Sequence, residues 1–135
     1  MFDAALELQG AVFGLLAADE TLTTALGGQK LHDLAPARTA YPYVTFGPLS
    51  THDWSTDTEV GSEHFFTINV WSGARGRREV LLLMERVDAV LGTTLPALAG
   101  HALVSLRREG SEVRFNEDLA AYHGLMRFRA LTEPV

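Results

Sequence analysis

Five histidines, His32, His52, His64, His101 and His123, are the residues best suited to metal binding or proton transfer. Two of them stand beside acids, as His32-Asp33 and His52-Asp53. Adjacent strand residues point to opposite faces, so such a pair does not converge on one ion, and the chain has no HExxH spacing. The serines Ser50, Ser62, Ser72, Ser105 and Ser111 lie in turn-like or strand-like surroundings, and the GxSxG turn that exposes a nucleophile is missing. Neither GxxxxGK[ST] nor GxGxxG occurs. The run Gly73-Ala74-Arg75-Gly76 before a helix offers free amides to an anion but is too short for a phosphate loop. Glu117-Asp118 and the pair Glu59 and Glu63 read as solvated charges. With no cysteine in the chain, a disulfide scaffold, a thiolate zinc site and a cysteine nucleophile are excluded. These residues assemble into no active site, and the reading is a non-enzyme with no cofactor and no metal.

The elements that would carry these residues fit one domain. The sequence has 135 residues, of which 47% are hydrophobic and 21% charged. A chain of that length hides about two-thirds of its surface on folding, enough for one core spanning residues 1–135. No run of about 18 apolar residues is present, so no membrane span is expected. The start Met1-Phe2-Asp3 lacks the basic region of a signal peptide, which predicts a soluble protein made in the cytoplasm.

Apolar spacing predicts a helix over Asp3–Ala18, with Gly27-Gly28 ending any continuation, and a connector in which a short edge strand lies around Lys30–Asp33. Tyr43–Gly47 and Glu63–Trp71 read as strands, the second with Phe66, Ile68 and Val70 on one face. Between them, Thr51–Ser62 is polar and acidic and reads as a long mobile loop. A helix follows from about Arg75 to Leu91, stopped by Gly92. Ala102–Phe115, bulged at Glu109-Gly110-Ser111, and Ala120–Leu131 read as strands joined by a turn at Asn116-Glu117-Asp118. The predicted fold is an α+β two-layer sandwich in the order α-β-β-α-β-β, a mainly antiparallel sheet of about four strands with two helices on one face.

Charge is unevenly placed. The net charge is −6, which argues against gripping nucleic acid. Residues 1–70 hold nine acids and two bases, whereas residues 71–135 hold nine arginines and eight acids. Arg75, Arg77 and Arg78 crowd a predicted helix start, where cations oppose the dipole and an acidic neighbour would offset them. The open sheet face carries Arg127 and Arg129. The acidic loop carries Asp53, Asp57 and Glu59, with Trp54 among them. These nine residues are the candidate interface, because opposite charges at separate places suit contact between copies.

Several stretches carry a family resemblance in order: Tyr41-Pro42-Tyr43-Val44-Thr45-Phe46-Gly47, Glu63–Ser72, Gly76 and Glu79 entering a helix, Gly100–Val104, and His123-Gly124-Leu125-Met126-Arg127-Phe128-Arg129-Ala130-Leu131-Thr132-Glu133. Over about residues 1–133 the chain resembles the tail completion or tail terminator family of long-tailed bacteriophages and gene transfer agents. The resemblance implies a lambda-type terminator: an α/β subunit of a hexameric ring that caps the tail tube and joins the tail to the head. Its implied partners are copies of itself, the tail-tube protein and the head-tail connector or stopper protein, with DNA passing through without specific binding. It implies no membrane, no cofactor, and residence in the virion at the tail-head junction after synthesis in the host cytoplasm. Another neck protein, such as a head-closure or adaptor subunit, is the near alternative. A small α+β ligand-binding domain or enzyme using His64, His123 and Glu63 is the distant one.

Overall fold

The long apolar stripe from Asp3 forms α1 (Asp3–Ala18), and the chain continues as α2 (Glu20–Leu26), β1 (Leu31–His32), β2 (Tyr43–Asp53), β3 (Ser62–Ser72), α3 (Arg78–Thr93), β4 (His101–Asn116) and β5 (Ala121–Pro134). The computed structural model describes residues 3–93 and 95–135. Met1 and Phe2, read above for a targeting segment, lie outside the described residues. No described helix is long and apolar enough to cross a membrane.

The fold is α+β as expected, but its inventory differs from the prediction. Among the described residues, three helices and five strands replace two and about four, and the sheet is mixed, in the order β1-β2-β3-β5-β4, with β1 parallel to β2 and the other pairs antiparallel. The extra helix arises at Asp19, whose extended backbone ends α1 and whose carboxylate accepts the Leu22 amide at 2.9 Å. Gly27, at φ 84, closes α2 in the left-handed conformation that glycine adopts without strain. The extra strand is the short edge around Lys30–Asp33, reduced to Leu31 and His32.

Several boundaries also move. The strands β2 and β3 pair out to Asp53 and Ser62, so the connecting loop is 54–61 and not Thr51–Ser62. Thr51 and Ser62 are polar residues that the ladder holds regardless of their propensity. Helix α3 starts at Arg78, since Gly76 at φ +85 breaks the backbone before it. Arg75 and Arg77 therefore precede the helix, and Gly92 lies inside its last turn. The bulge expected at Gly110 is present as a register shift between Arg108 and Gly110.

The helices cover one sheet face. Leu8, Val12 and Leu16 of α1, Leu22 and Leu26 of α2, and Val80, Leu83, Met84, Val87 and Leu91 of α3 form one core with Phe66, Ile68, Val70, Met126, Phe128 and Ala130. These strand residues alternate, as a sheet with one covered face requires. His64 shares this face and is fully buried. Its Nδ1 lies 3.0 Å from the Thr51 hydroxyl and its Nε2 2.8 Å from the Thr132 hydroxyl, and burial holds its pKa below the ordinary histidine value.

Asp19 also ties α2 to α3. Its two oxygens accept from Arg86 Nη2 at 2.6 Å and Nε at 2.7 Å, which lowers its pKa. Asp19→Ala removes a helix cap and this fork together, with an expected cost of about 1–2 kcal/mol in urea unfolding. Asp19→Asn keeps the cap acceptor and should cost less.

Candidate assembly surfaces

The acidic tip is a structured hairpin loop. Asp53 Oδ1 accepts from the Ser55 hydroxyl at 2.6 Å and the Ser55 amide at 3.1 Å, and these bonds lower its pKa, the hydroxyl contributing most. The Trp54 amide donates to the Gly61 carbonyl at 2.9 Å and the Thr56 amide to the Glu59 carbonyl at 2.7 Å. Asp53 is thus engaged in shaping the loop. Asp57 and Glu59 are exposed and form no ion pair among the described residues, and Trp54 and Val60 beside them are 50% and 65% exposed. The tip therefore presents apolar surface and unpaired acid together.

The arginine cluster lies at the other end of β3. The Ser72 hydroxyl donates to Glu79 Oε1 at 2.6 Å and accepts the Ala74 amide at 3.2 Å, fixing the turn into α3. Arg77 sits over the Tyr122 ring at 5.6 Å. Arg75 and Arg78 have no carboxylate partner among the described residues, and both border a groove of about 700 Å³ between α2 and α3 that Ala25, Leu82 and Ala89 also line.

Arg127 and Arg129 do lie on the open sheet face, but residues of the neighbouring strands β4 and β3 partner them. Arg129 Nε donates to Glu63 Oε2 at 2.6 Å. Arg127 Nη2 donates to Glu112 Oε1 at 2.8 Å, and Arg114 forks onto the same carboxylate with two bonds of 3.0 Å. The structure brings neither arginine to Asp53, Asp57 or Glu59 of its own chain. Glu112, Glu63 and Arg114 are members of this face that the sequence reading did not group with them; only cross-strand register, with Glu112 opposite Leu125 and Glu63 opposite Leu131, reveals them.

Next to this charged area runs an aromatic row. Tyr41 stacks on Tyr43 at 5.4 Å, Tyr43 on Trp71 at 6.3 Å, and Trp71 on His123 at 4.0 Å. Trp71 Nε1 donates to the Thr45 hydroxyl at 3.1 Å, and His123 Nε2 lies 2.7 Å from Asn69 Oδ1. Burial holds the His123 pKa below its ordinary value.

The two arginines hold the Glu112 pKa down to about 2, the Arg114 hydrogen bonds contributing most and Arg127 next. A depressed carboxyl pKa stabilises the fold fully above the unfolded value of 4.5, and that contribution is lost as pH falls toward 2. Carboxyl-carbon NMR titration should give Glu112 a midpoint near 2, and Arg127→Ala should raise it.

His64, His123 and Glu63 do not form one site: His64 is a core residue, His123 stacks on Trp71, and Glu63 pairs with Arg129. No group of three or more His, Asp or Glu among the described residues is placed to hold a metal ion.

A mixed sheet covered by helices on one face, with a paired charge network on the other, defines an α+β protein. The family model for Tail completion protein gp17 matches residues 10–133. A chain from the virion of a native gene transfer agent particle is similar at 30% identity and a TM-score of 0.88, covering 98% of this chain and 99% of that one. The gp17 protein of bacteriophage SPP1 shares the fold at a TM-score of 0.63 and 21% identity, over 94% of this chain and 89% of that one. No curated protein matches. The chain belongs to the Tail completion protein gp17 family, and it is a tail completion protein of a phage or gene-transfer-agent virion.

Proposed function

We propose that this single domain of residues 1–135 assembles as a hexameric ring that ends the tail tube and joins the tail to the head connector or stopper protein. The observation that carries this reading is the end-to-end similarity, in sequence and fold, to a chain of a gene transfer agent virion, within a family of tail completion proteins. The ring sits at the tail-head junction, and the chain works by contact and not by catalysis. Its partners are its own copies, the tail-tube protein and the connector or stopper, and DNA passes through the bore without being held. The net charge of −6 supports that last point, because binding duplex DNA needs basic side chains against its phosphates.

Deleting the gene and imaging particles by electron microscopy tests the reading. Tails of uncontrolled length, or tails detached from filled heads, are the expected result. Tails of normal length joined to heads in the deletion strain would overturn it.

A further inference from the structure

The acidic tip and the arginine cluster are the two ends of one strand. β3 runs from Ser62, beside the tip, to Ser72, beside the cluster. Its ten steps at about 3.3 Å each put the two features roughly 33 Å apart. They cannot meet within one copy. A ring built by head-to-tail contact needs such a pair of different, matching surfaces on opposite sides of a subunit. We infer that the hairpin tip of one copy, through Asp57, Glu59, Trp54 and Val60, seats in the α2–α3 groove of the next copy against Arg75, Arg78 and Leu82. This inference rests on the ring reading above and specifies its contact.

Three observations converge on a second copy as the occupant. The first is charge. Among the described residues, Asp57 and Glu59 lack ionic partners at one end, and Arg75 and Arg78 lack them at the other. Of the other charges bordering the groove, Arg86 is held by Asp19, whereas Glu79, bonded to the neutral Ser72 hydroxyl, keeps its charge, and Glu85 has no ionic partner among the described residues. Glu117 and Asp118 stand at the same end, on the β4–β5 turn, and form no ion pair among the described residues. The second is the helix start. Arg78 occupies the first turn of α3 beside Glu79, where unsatisfied amides and the dipole favour an anion and disfavour a cation. A carboxylate arriving from outside reverses that. The third is apolar matching. Trp54 and Val60 are exposed at the tip, and Leu82, 56% exposed, lines the groove with Ala25 and Ala89. A contact between copies satisfies both ends at once, all around a closed ring.

The chain has no cysteine, so an introduced pair reports without background. Thr58→Cys at the tip and Ala74→Cys at the groove leave every charge in place. Purified particles carrying both changes are treated with a short bis-maleimide and run on a denaturing gel. Linkage within one copy is ruled out by the separation, so a ladder rising to the full ring supports the contact. Each single-cysteine chain should stay monomeric. Particles that show a ring at the tail end but yield only monomer overturn the contact and leave the ring reading standing. Wild-type particles with no ring at that position overturn the ring reading itself. If the cysteine pair keeps the chain out of particles, charge reversal decides. Asp57→Lys with Glu59→Lys, and separately Arg75→Glu with Arg78→Glu, should each cut particle yield at least tenfold. All four changes together should restore most of it, and no restoration overturns the contact.

Discussion

Phe128→Ala is expected to destabilise the protein by about 3–5 kcal/mol, the usual cost of emptying a buried aromatic site. Phe128 is 2% exposed, lies within β5, and stacks on Phe66 with ring centroids 5.3 Å apart and planes 12° apart. Removing the ring deletes the transfer free energy of its atoms and leaves a void between two strands held in register by a ladder. The sheet cannot close that void without breaking the pairing of β5 with both β3 and β4. For a domain of this size the loss corresponds to a fall in Tm of roughly 10–20 °C. Phe128→Leu keeps most of the volume and should cost less than about half as much. Phe65→Ala is the control. It sits one residue from Phe66 on the same strand but is 36% exposed on the opposite face. Urea unfolding should show the Phe128→Ala midpoint falling with an unchanged slope, and a much smaller fall for Phe65→Ala. Equal losses would mean that the two faces of the sheet are not as different as the alternation requires.

That alternation is the part of the fold most legible in the sequence. Phe66, Ile68 and Val70, and Met126, Phe128 and Ala130, recur every second residue, and a half-covered sheet has no other way to bury them. Helix α1 was legible from its stripe, and the bulge at Gly110 from a glycine inside a strand pattern. The strand order was not. β5 inserts between β3 and β4, and no local pattern separates that arrangement from two independent hairpins, because both bury the same faces. The strand ends at Thr51–Asp53 and Ser62 were hidden for a related reason. Their residues are polar, and only pairing with the opposite strand extends them. The candidate surfaces divide in the same way. Asp57, Glu59 and Arg75 lie in loops and Arg78 opens α3, so no neighbouring strand supplies them an ionic partner among the described residues. Arg127 and Arg129 stand within the sheet, where Glu112 and Glu63 reach them across strands, and register is information that a sequence pattern does not carry.

Gly124→Val is expected to be the most damaging change at a position that carries no side chain. Gly124 lies in β5 directly beneath α3, opposite Val70 on one side and Val113 on the other. A Cβ at this position would collide with Met84 Sδ and stand 2.9 Å from Val80 Cγ2 and 3.1 Å from Met84 Cγ. Met84 is unbranched and flexible, so it can yield. Val80 is β-branched, fully buried and stiff at χ1, so it cannot move without moving the helix. Gly124→Ala should therefore cost about 1–3 kcal/mol and Gly124→Val more, through overpacking. Met84→Ala is itself destabilising, but it opens the space that the new methyl needs. The double variant Gly124→Ala with Met84→Ala should thus be more stable than the sum of the two single losses, a non-additivity that urea unfolding can read directly. Additive losses would place the clash elsewhere. The same contact sets how closely α3 approaches the sheet, and α3 forms one wall of the groove beside Arg75 and Arg78. A helix lifted from β5 changes the width of that groove without touching any charge. Gly124→Ala chains that remain folded should accordingly enter particles less well than their stability alone would allow, and particle yield compared at matched folded fraction would separate the two effects.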